Sequence, residues 1–338
     1  MDARPPSLRE LAAKLGLSHA AVSMALRNHP SISLATRERV QALAKQMNYR
    51  GNILVSALLA QVRRRRVNAT GEVIAMLVEG EGLKHAPTVA VSWEPMQQRA
   101  QQLGLKLEAF ALGHRGRDSA SVERVLFNRG IRGVIVAPMP LDLLPLHIDW
   151  NRHTAIAIGH SFQQVVIHRV ANAHFSGLMT AHRELRASGR TSIGCVLHKD
   201  EDERSLHFWQ AAALCAPRLY GGRVIPPLMI GKEPGEAAFN QWFDEHKPDA
   251  VIGNNPDPVV GWLRRRRVRV PAEVGYASMD LPQGAKFPGV RQAWLGIFTT
   301  AIDQLAGELA RNEFGLPATP RTTLIEGQWV AGPKRKAR

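Results

Sequence analysis

The sequence predicts an N-terminal all-α helix-turn-helix unit with a hinge helix, then an α/β body of two lobes, parallel sheets with helices on both faces. Two patterns carry that prediction. Residues 8–47 contain three short amphipathic stripes separated by capping residues and a glycine. From Glu72 onward, short apolar runs alternate with amphipathic stretches, the βαβα texture of parallel sheets. Charge divides the chain at the same place. Residues 1–66 hold 12 Lys/Arg against 3 Asp/Glu, the tail 334–338 adds four more basic residues, and 67–333 is near neutral.

Each element of the head has its own signal. Ser7 opens Ser-Leu-Arg-Glu, a capping box with Glu10. Leu8, Leu11, Ala12 and Leu15 form one apolar stripe, and Gly16 stops the helix. Ser18 caps a second helix with Val22, Ala25 and Leu26 inward and His19, Ala20 and Met24 outward. Ser33 caps a third, with Val40, Leu43, Ala44 and Met47 on its buried side. Two short helices joined by a tight turn can place a helix N-terminus in the DNA major groove. Residues 50–61 form a short helical segment, followed by the basic run Arg63–Arg66.

In the body, strands are expected at 73–78, 105–112, 133–137, 154–158, 192–197, 250–252 and 274–277. Helices are expected at 91–103, 119–128, 175–187, 204–215, 236–246 and 257–265. Some 260 residues of this texture are long for one sheet, so two similar lobes are expected. The domain reading is 1–50 for the helix-turn-helix, 51–67 for hinge and basic linker, 68–333 for the body and 334–338 for a basic tail. Within the body the N-lobe takes about 71–165 and 293–320, and the C-lobe about 166–292 and 321–332.

Composition narrows the function classes. The 45% hydrophobic and 22% charged content suits a globular protein, and no apolar run approaches the roughly 18 residues that span a bilayer. No secretory apolar segment opens the chain, so a cytoplasmic location with no membrane partner is expected. Cys195 and Cys215 form neither a disulfide framework nor a zinc spacing, and are expected to be free. Gly80-Glu-Gly82 follows a strand, but His85 breaks the dinucleotide fingerprint. There is no Walker loop, His-Glu-x-x-His or Gly-x-Ser-x-Gly, so neither an enzyme, a cofactor nor a metal site is expected. A basic head on a neutral body is the charge pattern of a nucleic-acid-binding module joined to something else.

The AVS–AL core of the second helix, ISxxTRERV in the third and Asn48-Tyr49 before a hinge make residues 7–60 resemble the lactose/galactose-repressor (LacI/GalR) family of bacterial transcription regulators. In the body, GIRGVIV (130–136), ANAHFSGLMTAHRELRASGR (171–190), Arg204 before HFW, IGNN (252–255) and EVGYASMD (273–280) fall where that family has counterparts. The resemblance implies a periplasmic-binding-protein-like body with an effector cleft between its lobes. It makes His19, Ala20 and Met24 base readers, and Ser7, Ser18, Ser23, Ser33 and Tyr49 backbone contacts. Ala20 and Met24 are more apolar than is usual there, which leaves His19 the main hydrogen-bonding reader. By position, Asn52 begins the hinge helix and Leu58 matches the residue that wedges into the minor groove. Nine residues are too few for an isolated helix, so the hinge would fold where two copies meet over DNA.

For the cleft, the resemblance points to Arg204, Asn254 and Asp280, with His160 and Trp93 as further candidates. The function so implied is a ligand-responsive regulator, in this family most often a repressor. It would bind a pseudo-palindromic operator in double-stranded DNA as a homodimer, under control of a small molecule, expected to be a sugar or derivative. The alternative is a DNA-binding regulator with a degenerate cleft, acting constitutively or through a protein partner.

Overall fold

Local signals close the helices of the head where the sequence places them. The computed structural model describes residues 8–26, 32–47, 71–80, 92–231, 235–254 and 256–332. Helix α1 (Leu8–Leu15) ends at Gly16, whose φ of 64° allows Gly16 N–H to donate to Ala13 and Leu17 N–H to donate to Ala12. That pair of bonds is a Schellman stop. Helix α2 (His19–Leu26) is capped by Ser18, whose hydroxyl accepts from Ala21 N–H at 3.1 Å. Helix α3 (Leu34–Gln46) is capped by Ser33, which accepts from Thr36 N–H. Leu11, Ala12, Val22, Ala25, Val40 and Ala44 are buried together as one small core, with Leu8, Leu15, Leu26, Leu43 and Met47 at its rim. Ser7 and the whole segment 51–67, with Tyr49, Asn52 and Leu58, lie outside the described residues.

The N-lobe begins with β1 (Glu72–Glu79), α4 (Trp93–Gln102), β2 (Leu105–Leu112), α5 (Ser119–Asn128), β3 (Gly133–Val136), β4 (Thr154–Ile158) and β5 (His168–Asn172). The C-lobe follows with α6 (His174–Ala187), β6 (Ile193–His198), α7 (Lys199–Arg204), α8 (Phe208–Tyr220), β7 (Leu228–Ile230), α9 (Glu236–His246), β8 (Ala250–Gly253), α10 (Pro256–Arg265), β9 (Gly275–Ser278) and β10 (Gly289–Arg291). The chain then returns through α11 (Trp294–Arg311) and β11 (Thr322–Ile325) to the N-lobe, and β12 (Gln328–Val330) closes the C-lobe. Both sheets have six strands in matching orders, β2-β1-β3-β4-β5-β11 and β7-β6-β8-β9-β10-β12. Every pairing is parallel except β10 with β12.

Alternation along the strands supplies two cores per lobe. In β1, Ile74, Met76 and Val78 face α4 and α11, while Ala75 and Leu77 face α5. In β6, Ile193, Cys195 and Leu197 face α6 and α8, while Val196 joins Phe239, Trp242 and Trp262 on the other side. Cys195 and Cys215 are free, and burial pushes the Cys195 thiol up to about 12. No described helix is long and apolar enough to cross a membrane.

Three features differ from the sequence expectation. Strands β5 and β11 belong to the N-lobe sheet, so the chain crosses between lobes near 173, 292 and 326 rather than near 165 and 320. Strands β5, β7, β10, β11 and β12 are absent from the sequence expectation, because segments of three to five residues, most with polar members, give no clear apolar run. The expected helix 204–215 is two helices. Leu206 and His207 take φ of 56° and 59°, and the fully buried Asp202 carboxylate accepts from Gln210 N–H and pairs with the His207 ring at 2.8 Å. The backbone breaks because Asp202 caps α8 from below. Arg204 therefore ends one helix instead of opening another.

Candidate functional site

Parallel α/β sheets leave ligand-binding crevices at the carboxyl ends of their strands. Here those ends face each other across the lobes. From the N-lobe, β4 is followed by Gly159, whose φ of 73° turns the chain so that His160 lines the cleft with Pro138 and Ser161. From the C-lobe, α7 after β6 supplies Glu201 and Arg204, β8 is followed by Asn254, and β9 by Asp280. The crossovers supply Asn172 and His174 on one strand of the hinge and Gln292 and Trp294 on another. Trp209 of α8 completes the lining.

The cleft is rich in buried polar atoms without protein partners. His160 Nε2, Asn172 Oδ1, His174 Nδ1, Trp209 Nε1 and Asn254 Oδ1 are all in this state. Native interiors leave few such groups, so a cluster of them around a cavity marks a place where a polar guest completes the bonding. Asn254 donates its amide hydrogen to Glu201. Gln292 donates to Met279 carbonyl at 2.6 Å. The Trp294 indole N–H approaches Asp280 without forming a well-aligned hydrogen bond. His174 packs edge-on to Trp209 at 4.8 Å, and His160 edge-on to Phe208 at 5.5 Å.

Burial also sets the charge states. It lowers His160 to about 4, helped by the Arg169 guanidinium, and His174 to about 3, helped by His160. Both rings are neutral at physiological pH. Burial, reinforced by the neighbouring Glu201 charge, raises Asp280 to about 7. Burial raises Glu201 as well, against the pull of His198 and Arg204. Among the described residues no group of histidine, cysteine and carboxylate side chains is arranged to hold a metal ion.

Of the sequence-derived candidates, Arg204, Asn254, Asp280 and His160 surround this one cleft. Trp93 does not line it; it packs at the start of α4 against the N-lobe core. Trp93 opens a helix instead of following a strand end, and its ring packs on the core. Glu201, His174, Trp209 and Trp294 were missed. Glu201 had a faint signal, three residues before Arg204 on one helical face. His174 and Trp294 depend on crossovers that no periodicity reveals, and Trp209 on the helix break before α8.

In the head, His19 is exposed at the first position of α2, and Ser18 and Ser33 are exposed at their caps. Ser23 and Met24 are only half exposed, so the outward face of α2 is narrower than expected. Ala20 lies on that helix. Residues 7–52 match the family described as bacterial regulatory proteins of the lacI family. The head is therefore similar to that of the lacI-family regulators.

Solved structures extend the likeness along the chain. The transcriptional regulator CelR in complex with cellobiose superposes with a TM-score of 0.60 at 18% identity, covering 96% of this chain and 98% of that one. The Lac repressor dimer bound to operator and the anti-inducer ONPF gives 0.58 at 17% identity, covering 97% and 98%. A periplasmic binding protein/LacI transcriptional regulator from Alkaliphilus metalliredigens, complexed with D-xylulofuranose, gives 0.55 at 15% identity, covering 77% and 97%. These identities speak for the fold: a periplasmic-binding-protein-like body behind the lacI-family head. No match was found among curated proteins.

Proposed function

We propose that the protein is a ligand-controlled repressor that binds a pseudo-palindromic operator as a homodimer, with a small polyhydroxylated effector in the interlobe cleft. The observation that carries this reading is the convergence of Arg204, Asn254, Asp280 and His160 on one cavity at the carboxyl ends of both sheets. A degenerate cleft would have lost such unpartnered polar groups to apolar replacements, since each costs stability while unfilled. The cavity volume is about 90 Å³. That is below the ~300–1,000 Å³ of typical ligand clefts, so the lobes part to admit even a monosaccharide.

The linkage to DNA follows from where the lining sits. Asn172, His174, Gln292 and Trp294 lie on the crossovers between lobes, so a guest that bonds to them alters the angle at which the lobes meet. The N-lobe follows the hinge in sequence, and a two-fold pair of hinges sets the spacing of the two recognition helices. A coupling of about 1–3 kcal/mol between the sites is typical. In the head, His19 reads bases at the N-terminus of α2, while Ser18, Ser23 and Ser33 with Ser7 and Tyr49 hold phosphates. Leu58 wedges into the central minor-groove step.

The test is a gel shift on operator fragments selected from random duplexes, with and without sugars. Full-length protein should protect a two-fold symmetric site and release or tighten on it with one sugar class. Arg204→Ala should keep operator affinity and lose at least tenfold of the ligand response, roughly the worth of one charge-assisted bond. A normally responsive Arg204→Ala protein removes that residue from the site, and an asymmetric monomeric footprint overturns the homodimer.

A further inference from the structure

We infer that the cleft takes a guest bearing a protonated amine, an amino sugar or an amino polyol of similar size, with its ammonium seated between Glu201 and Asp280. The inference rests on the effector reading above and specifies the class of effector.

The first ground is charge. The cleft lining contains the carboxyls of Glu201 and Asp280 and a single guanidinium, that of Arg204. The histidines that share the wall, His160 and His174, are held neutral by burial. Arg169, outside the lining, bonds to the Gly159 carbonyl at 3.0 Å and the Phe162 carbonyl at 3.3 Å, and its charge acts on His160 rather than on the two acids. Two carboxylates against one cation leave an uncompensated negative charge in a half-dry site, and an isolated buried charge is costly. The protein meets that cost by raising both acids, burial being the main cause: Glu201 goes up and Asp280 reaches about 7. A guest cation would return both to the ionised state.

The second ground is hydrogen bonding. Asn254 turns its amide hydrogen to Glu201 and leaves Oδ1 as an acceptor with no partner. Asn172 likewise presents an unpartnered Oδ1. Both residues are more than nine-tenths buried, with exposures of 5% and 3%. With the two carboxylates they form a set of acceptors open to an ammonium, while the unpartnered Trp209 and Trp294 indole N–H groups are donors open to the hydroxyls of the same guest. An ammonium has three donors and no acceptor, whereas a hydroxyl brings both. The Trp209 and Trp294 rings add faces suited to the C–H side of a sugar or to the cation itself.

The experiment uses the full chain and matched probes. D-glucosamine, D-galactosamine and D-mannosamine are compared with their parent hexoses, N-acetyl derivatives and uronic acids, by calorimetry and thermal shift near pH 7. At least one amine should bind about tenfold or more tightly than its parent and its N-acetyl form, the scale of a buried charge pair. Glu201→Gln and Asp280→Asn should each remove that preference while the variants melt no lower than the parent protein. Equal or tighter binding by the parent hexoses, or a preference for uronic acids, overturns the ammonium assignment and leaves the effector cleft standing. Silence from every sugar class overturns both. An amine preference that survives both substitutions also overturns the proposal, because the carboxylates would then not be its source.

Discussion

The two lobes share a strand order and a crevice, yet they bring opposite chemistry to it. The N-lobe presents His160, Ser161 and Pro138, none of them charged at neutral pH. The C-lobe presents Glu201, Arg204 and Asp280. Matching topology therefore decides where a site lies, and the residues after each strand decide what it binds. The difference has a thermodynamic signature, because buried histidines and buried acids tie stability to pH in opposite directions.

The largest effect that can break this comparison is on the cores. Phe298 in the N-lobe and Phe239 in the C-lobe are both fully buried. Truncation to alanine should cost roughly 3–5 kcal/mol at either site. Urea unfolding should show one lobe's transition moving ahead of the other's if the lobes unfold as separate units, and a single shifted transition if the crossovers bind them into one.

Next comes pH. Asp280 has a folded value near 7 against an unfolded value of about 3.9, so the folded state holds the extra proton between them. The stability it contributes is present below about pH 4 and is lost as pH rises towards 7. His160 and His174 lie near 4 and 3, below the unfolded value of about 6.5. Their contribution is present above pH 6.5 and is lost as pH falls towards 3. Asp280→Asn should raise the melting temperature at pH 8 and flatten the neutral side of the profile. His160→Asn should flatten the acidic side. Thermal melts from pH 4 to 8 check both, and an unchanged slope in either variant removes that residue from the linkage.

The smallest effect concerns the turn that aims His160. Gly159→Ala places a Cβ in open space but at a φ of 73°. A cost of about 1–2 kcal/mol should come from the left-handed backbone alone. A loss of ligand response beyond that of a control with equal destabilisation would show that the turn also positions the ring.

Much of the architecture was legible along the chain because its signals are local. Ser18, Ser33 and Gly16 mark helix ends by backbone geometry that their neighbours barely influence. The long strands announce themselves by pattern, β1 by its apolar run and β2 by its alternation. Arg204, Asn254, Asp280 and His160 were found from the family resemblance and from strand ends. The short strands were not legible, because β5 and β11 are strands only by virtue of the neighbours that pair with them.

What the sequence by itself determined is the three-helix head, the basic-to-neutral division and the alternation that makes parallel sheets, since each follows from short-range pattern and charge. What only the tertiary structure decided is the break at Leu206–His207, the crossovers that bring His174 and Trp294 beside the strand ends, and the meeting of Glu201 and Asp280 in one cleft. Those depend on residues far apart in the chain meeting in a low-dielectric crevice, where burial rewrites their charge states.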